Sequence, residues 1–283
     1  MLSKNMMPIK DWKGMLLVVI LFSSVIVYAM AVEPYWIKTT MHKIGHASVV
    51  SPLRVVQLSD LHLQTFDKLS AKIVEEVERL KPDLVVITGD AIDNHGALPV
   101  LDQFLAALPK GAHTFAIHGN WEYWAAVDMQ ALRALYIKHN VKLLVNEAYE
   151  VRMGAQAFII EGLDDFTAGK PKSVLKEYGA NKAPLHLLLQ HSPGWFEQLK
   201  GEALERERPA LCLAGHTHAG QVTLFGLVLW TPRGSGSYTA GFYQSKLCPL
   251  YVSAGLGTSL LPVRFGARPE IAVFDFLLKR QTF

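Results

Sequence analysis

Five short apolar runs, each closed by residues able to bind a cation, constrain this chain more than any other feature. Arg54–Ser59 leads into Asp60-Leu61-His62, and Leu84–Thr88 leads into Gly89-Asp90. Thr114–His118 precedes Gly119-Asn120, Leu185–Gln190 precedes His191, and Ala210–Ala214 precedes Gly215-His216-Thr217-His218. Continuous apolar runs of this length read as strands buried on both faces. Between them lie helical patterns: Leu69, Ile73, Val77 and Leu80 share one face of Lys68–Leu80, with further helices over Val100–Leu108 and Asp128–Asn140. More strands are expected at Gln156–Gly162, Tyr251–Ala254 and Ile271–Phe276. Such alternation predicts a layered α/β domain whose ligands sit beyond the carboxyl ends of its strands.

That edge collects Asp60, His62, Asp90, Asn120, His191, His216 and His218. Each offers nitrogen or oxygen, and none offers sulfur. Extended backbone would turn His216 and His218 to one side and Thr217 to the other. Taken singly, Asp-x-His or Asn120 reads as a helix cap and Gly-Asp as a turn. Their joint occurrence at five strand ends predicts a metal centre. The set is too large for one tetrahedral ion. It suits two divalent cations about 3.5–4 Å apart, bridged by a carboxylate and a water. Manganese, iron or zinc fits these donors.

Gly14–Val32 is an uncharged apolar run preceded by Lys4, Lys10 and Lys13. As a helix it spans about 28 Å, enough for a bilayer core. Ala29-Met30-Ala31 resembles a signal-peptidase site, but the run exceeds the usual signal core. An uncleaved single-pass anchor is expected, with the lysines in the cytoplasm and the α/β domain outside it. The boundaries are then a cytoplasmic N-terminus at 1–13, the anchor at 14–32, an irregular linker at 33–52 and one domain at 53–283. A net charge of +3 with no basic run argues against a nucleic-acid partner. Cys212 and Cys248 lie in apolar surroundings and read as buried free thiols, with a disulfide as the alternative in an exported domain. Phe225–Trp230 reads as a core strand that could also support a lipid-linked substrate.

The ordered set Asp60-x-His62, Gly89-Asp90, Gly119-Asn120, His191 and Gly215-His216-x-His218 resembles the calcineurin-like metallophosphoesterase superfamily over about residues 54–278. Tyr251-Val252-Ser253-Ala254-Gly255-Leu256-Gly257-Thr258, Pro262-Val263-Arg264-Phe265-Gly266 and Pro269-Glu270-Ile271 resemble its membrane-associated bacterial YkuE/YaeI-like branch. The resemblance implies a four-layer α/β/β/α sandwich, a dimetal centre, and hydrolysis of phosphoesters by a metal-bridging hydroxide. It implies that Asp60, His62, Asp90 and His218 hold one ion. Asp90, Asn120, His191 and His216 would hold the other, with Asp90 shared.

One departure bears on chemistry. The third family motif usually reads Gly-Asn-His followed by an acid, and the histidine protonates the leaving group. Here Trp121-Glu122 follows Asn120, and indole is no proton donor for catalysis. His118 becomes the candidate acid, with Asn120 taking up phosphoryl charge. A phosphodiester or pyrophosphate with a stable leaving anion is the expected substrate, membrane-associated or linked to a nucleotide or sugar. The alternative is a membrane-tethered phosphate-binding protein without efficient catalysis. Arg233 and Arg264, in Gly/Pro-rich loops, are candidates for substrate binding.

Overall fold

The computed structural model describes residues 9–45, 53–153, 156–174, 185–199 and 208–277. Residues 1–8 of the expected cytoplasmic segment, 46–52 of the expected linker and 278–283 at the expected domain end lie outside the described residues.

The strands are β1 Lys38–Gly45, β2 Leu53–Leu58, β3 Leu84–Thr88, β4 His113–Ile117, β5 Val141–Leu143, β6 Glu147–Met153 and β7 Gln156–Gly162. They continue as β8 Leu185–Leu189, β9 Leu211–Ala214, β10 Thr223–Leu224, β11 Leu227–Val228, β12 Gly241–Gln244, β13 Pro249–Val252 and β14 Glu270–Leu277. Among the described residues the α-helices are α1 Ile9–Val27, α2 Lys68–Leu80, α3 Leu98–Ala107, α4 Asn120–Trp124, α5 Met129–Lys138 and α6 Trp195–Gln198. Asp67 caps α2 by accepting from the Leu69 and Ser70 amides, and left-handed Lys81 ends it before Pro82.

Two six-stranded sheets form, ordered β1-β14-β2-β3-β4-β5 and β12-β13-β9-β8-β7-β6. The strands that lead into the candidate ligands run parallel side by side, β2 with β3 and β4, and β8 with β9. Their carboxyl ends therefore share one edge. Side chains alternate along each strand. Val55, Val86 and Phe115 meet Phe158, Leu187 and Leu213 between the sheets. Val56, Val85 and Ala116 face the other way, against Ile73 of α2, Leu101 of α3 and Leu132 of α5. Leu188, Cys212 and Leu250 pack beneath Phe196 of α6 on the outer face of the second sheet. The result is the four-layer α/β/β/α arrangement.

Three expectations need correction. Residues 38–45 of the expected irregular linker form a strand: β1 pairs in parallel with β14 along its whole length. β1 is an edge strand with an exposed face, so it carries no continuous apolar run. Cys212 and Cys248 are not free thiols. They form a disulfide between β9 and the turn before β13, with Cα atoms 6.0 Å apart. Phe225–Trp230 is not a core strand. It belongs to an exposed hairpin of β10 and β11, with Phe225 and Gly226 at positive φ in its two-residue turn.

The apolar helix begins at Ile9 and passes at Tyr28 into a π-helical turn that ends at Val32. By length and composition, Trp12–Tyr35 suffices to cross a membrane. Its end is built into the domain. The Ala29 carbonyl accepts the Arg264 amide at 2.9 Å, and Tyr28 meets Phe265 edge-on at 6.2 Å. Buried Glu33 accepts the Ala267 amide at 2.7 Å.

The disulfide makes a direct prediction. Protein purified without reductant and then denatured should show no thiol by colorimetric titration. Two titratable thiols per chain would restore the free-thiol reading.

Candidate metal centre

The loops beyond β2, β3 and β9 turn sharply, and the candidate ligands themselves make the turns. Asp60, His62, Asp90, His216 and His218 all have positive φ, between 44° and 73°. Such backbone is unfavourable for residues other than glycine and persists only where the surroundings enforce it. His216 and His218 are therefore not in extended backbone, and they do not serve one point. His218 joins Asp60 and His62, whereas His216 joins Asp90 and His191. In each group the ligand atoms lie within 4.8 Å of one another, and all six residues are buried.

Glycine permits the close approach. A Cβ on Gly215 would overlap the Ser59 hydroxyl and the Asp60 carboxylate. Those two groups are already hydrogen-bonded, Ser59 Oγ donating to Asp60 Oδ2 at 2.6 Å. The His216 amide donates to Asp60 Oδ1 at 2.9 Å. Glu122 ties the next two loops together. Its carboxylate accepts the Gly119 amide at 2.8 Å, the Ala91 amide at 2.7 Å and the Asp90 amide at 3.2 Å. Burial, and then the Asp90 charge, push the Glu122 carboxyl up to about 7. The sequence displayed Glu122 within the motif, but only the structure assigns it this bracing role.

Backbone carbonyls set the histidine tautomers. His191 Nδ1 donates to the Thr88 carbonyl at 2.8 Å, which leaves Nε2 as a lone pair. His216 Nε2 donates to the Arg233 carbonyl at 2.9 Å, which leaves Nδ1 as a lone pair. These two free nitrogens face each other at 3.3 Å. Asn120 Oδ1 lies 3.2 Å from His191 Nε2, and Asp90 Oδ2 lies 3.1 Å from it. With neutral rings, four acceptor atoms thus converge with no hydrogen among them. In the other group His62 Nε2 and His218 Nε2 stand 3.1 Å apart, with Asp60 Oδ1 3.4 Å from His218 Nε2. Asp90 Oδ2 is also 3.8 Å from His62 Nε2, so its carboxylate stands between the two groups.

The electrostatics match a centre that calls for positive charge. Burial lowers His62 and His191, but the neighbouring carboxylates outweigh it and raise both. Burial lowers His216 and His218, and the neighbouring histidines lower them further. Burial would raise Asp90, yet His191, His62 and the Trp121 amide hold it at about 2.

Two expected residues stand elsewhere. The His118 ring packs edge-on against Tyr123 at 5.5 Å and does not line the cavity over the ligands. Burial pushes it down to about 4, so it is neutral at pH 7 with no proton to spare. Arg264 is fully buried behind the site and is not available to substrate. Its guanidinium donates to the carbonyls of Gly257, Ala254 and Ala267 and lies 3.3 Å from His218 Nδ1. Arg233 does line the cavity and is exposed.

That cavity, of about 600 Å³, opens directly above Asp90, Asn120, His216 and His218. Trp121, Trp124, Leu229, Trp230, Leu260 and Leu261 form its other walls. Trp121 stands with its ring edge-on to His62 at 6.0 Å, and its amide donates to Asp90 Oδ1 at 2.8 Å.

The profile of calcineurin-like phosphoesterases matches residues 53–220. The chain belongs to that family. As a metallophosphoesterase it is a metal-dependent phosphoester hydrolase, and the family uses two metals. It is 31% identical over 263 residues to the uncharacterized metallophosphoesterase YkuE of Bacillus subtilis, covering 87% of this chain and 88% of that protein. A metallophosphoesterase of Aquifex aeolicus is 31% identical, with 89% and 94% covered. A transmembrane protein with a metallophosphoesterase domain from Bos taurus is also 31% identical; the match covers 78% of this chain and 52% of that one.

Gly215→Ala is expected to displace Asp60. It should lower unfolding stability by about 1–3 kcal/mol in urea titration, and elemental analysis should find less bound metal than in wild type. Gly111→Ala, where a Cβ meets nothing within 4 Å, is the control and should change neither.

Proposed function

We propose that the chain hydrolyses a phosphodiester or pyrophosphate whose leaving group is stable as an anion and which carries an apolar, lipid-like group. The single observation behind the chemistry is the convergence of His216 Nδ1, Asn120 Oδ1 and Asp90 Oδ2 within 3.3 Å of His191 Nε2, four acceptors when the rings are neutral. Only a cation makes that arrangement favourable at neutral ring charge. Asp60, His62, Asp90 and His218 would hold one divalent cation, and Asp90, Asn120, His191 and His216 the other. Manganese, iron or zinc suits the nitrogen and oxygen donors. Bound there, the pair supplies Lewis acidity and a nucleophilic water of lowered pKa.

The chain's own groups account for the rest. Asn120 turns Oδ1 toward His191, which leaves its amide N–H to donate to a phosphoryl oxygen. Arg233, exposed on the cavity wall, offers a guanidinium to the same phosphate. Trp121 and Trp124 exclude water from one side of the site. Neither can protonate a departing oxygen. General acid catalysis typically contributes about 10²–10⁴-fold, and its absence matters least when the leaving group is already a stable anion. Nucleotide, sugar-phosphate and aryl leaving groups meet that condition. The apolar walls favour a substrate with a lipid moiety beside its phosphate.

A membrane location with the catalytic domain outside the cytoplasm is supported by two features. The anchor's end is hydrogen-bonded into the domain at Arg264, which favours an uncleaved span. The Cys212–Cys248 disulfide suits an oxidising compartment.

Two outcomes are expected. Asp90→Ala should reduce hydrolysis of an aryl phosphodiester to background, and elemental analysis should find both ions lost. Retention of two ions per chain would refute the shared carboxylate. The wild-type rate should fall steeply as leaving-group pKa rises, Trp121→His should flatten that slope, and His118→Asn should leave it unchanged. A shallow wild-type slope would point to a proton donor elsewhere and refute the leaving-group argument.

A further inference from the structure

Residues 224–230, apart from Gly226, carry apolar side chains where a protein in water would carry polar ones. A two-residue hairpin turn with both residues at positive φ favours Asn-Gly or Asp-Gly. Here it is Phe225-Gly226, at φ of 51° and 81°. Phe225 is 97% exposed, Leu227 68% and Trp230 61%. The neighbouring loop adds Leu260 at 74% and Leu261 at 65%. Trp230, Leu260 and Leu261 stand on the rim of one cavity, and Phe225 and Leu227 project from the same hairpin. Gln221, at the hairpin's base, donates to the carbonyls of Ser259 and Leu261, and Leu260, Leu261 and Trp230 all line the same cavity.

The end of the apolar span meets the base of the hairpin at Phe265. The Phe265 carbonyl accepts the Thr223 amide that opens the hairpin, at 2.8 Å, and its ring meets Tyr28 edge-on. Met30 and Tyr35 share a groove with Leu260 and Leu261. The hairpin thus emerges where the span leaves the domain, and both surfaces are apolar.

We infer that the hairpin 223–230 and the loop at Leu260–Leu261 insert into the lipid bilayer, so that the metal centre opens onto the membrane surface. This rests on the proposed hydrolase with a membrane anchor. The occupant is lipid, because the same face already carries a span of 24 residues suited to a bilayer. Aromatic and leucine side chains at a rim settle at the boundary between headgroups and acyl chains. In that position the cavity between Trp121 and Trp230 receives a lipid phosphoester from the side. The phosphate reaches His216 and Asp90 while the acyl chains remain in the membrane.

The test uses the full chain in nanodiscs of phosphatidylethanolamine and phosphatidylglycerol. A nitroxide is attached to Phe225→Cys, with Val18→Cys in α1 as the bilayer reference. Ile137→Cys on α5, beside the β5 edge far from β1 in the sheet, is the aqueous reference. The label at 225 should be relaxed by oxygen and shielded from a water-soluble nickel chelate, as at 18. Nickel access equal to that at 137 overturns the inference.

A second arm compares two 4-nitrophenyl phosphodiesters with the same leaving group, one water-soluble and one carrying diacylglycerol in vesicles. In Phe225→Asp/Leu227→Asp, turnover of the vesicle ester should fall by about tenfold or more, with the soluble ester changed less than about twofold. Equal rates on the vesicle ester for variant and wild type overturn the inference. If wild type hydrolyses neither ester, the hydrolase reading fails, and the nitroxide depth still decides the docking.

Discussion

Acceptor atoms aimed at one another inside a protein repel unless positive charge lies among them. Here the rest of the fold holds that arrangement in place. His191 and His216 cannot turn away, because each donates a ring N–H to a backbone carbonyl. Asp60 and Asp90 are each held by hydrogen-bond donors, from Ser59 and His216 in one case and from Trp121 in the other. Glu122 makes no contact with the opposing lone pairs, yet it fixes the loops that carry two of them. The left-handed backbone at five ligands shows the same priority, with local preference yielding to convergence.

Much of this was readable before any coordinates. Parallel strands buried on both faces leave long apolar runs, and their carboxyl ends must share an edge, so seven ligands could be gathered from five segments. What escaped the reading did so for physical reasons. β1 is an edge strand, and its alternation of exposed and half-buried residues resembles a loop. Cys212 and Cys248 are 36 residues apart, and their pairing depends on β9 lying beside β13. The Phe-Gly turn lacks the polar residues that mark a hairpin in water, so an exposed apolar segment passed for a core strand.

Two side chains show why position in the sequence does not establish a role. His118 lies two residues before Asn120, but its ring packs against Tyr123 and is neutral there. Arg264 lies in a glycine-rich loop, as a phosphate-binding arginine would, yet its guanidinium is spent on carbonyls. Its burial, the largest influence on it, lowers its pKa to about 10, and the carbonyl hydrogen bonds and nearby carboxylates offset the loss of water. It thereby packs the loops behind His218.

Arg264 also bears on how the chain can be divided. Its backbone amide donates to the carbonyl of Ala29, while Glu33 closes the same loop by accepting the Ala267 amide. The last turn of the span is therefore masonry rather than rope. A shortened chain starting after that turn would leave the Arg264 amide without its Ala29 partner in the segment that backs His218. Removing the apolar helix for solubility would alter the wall behind the metal centre.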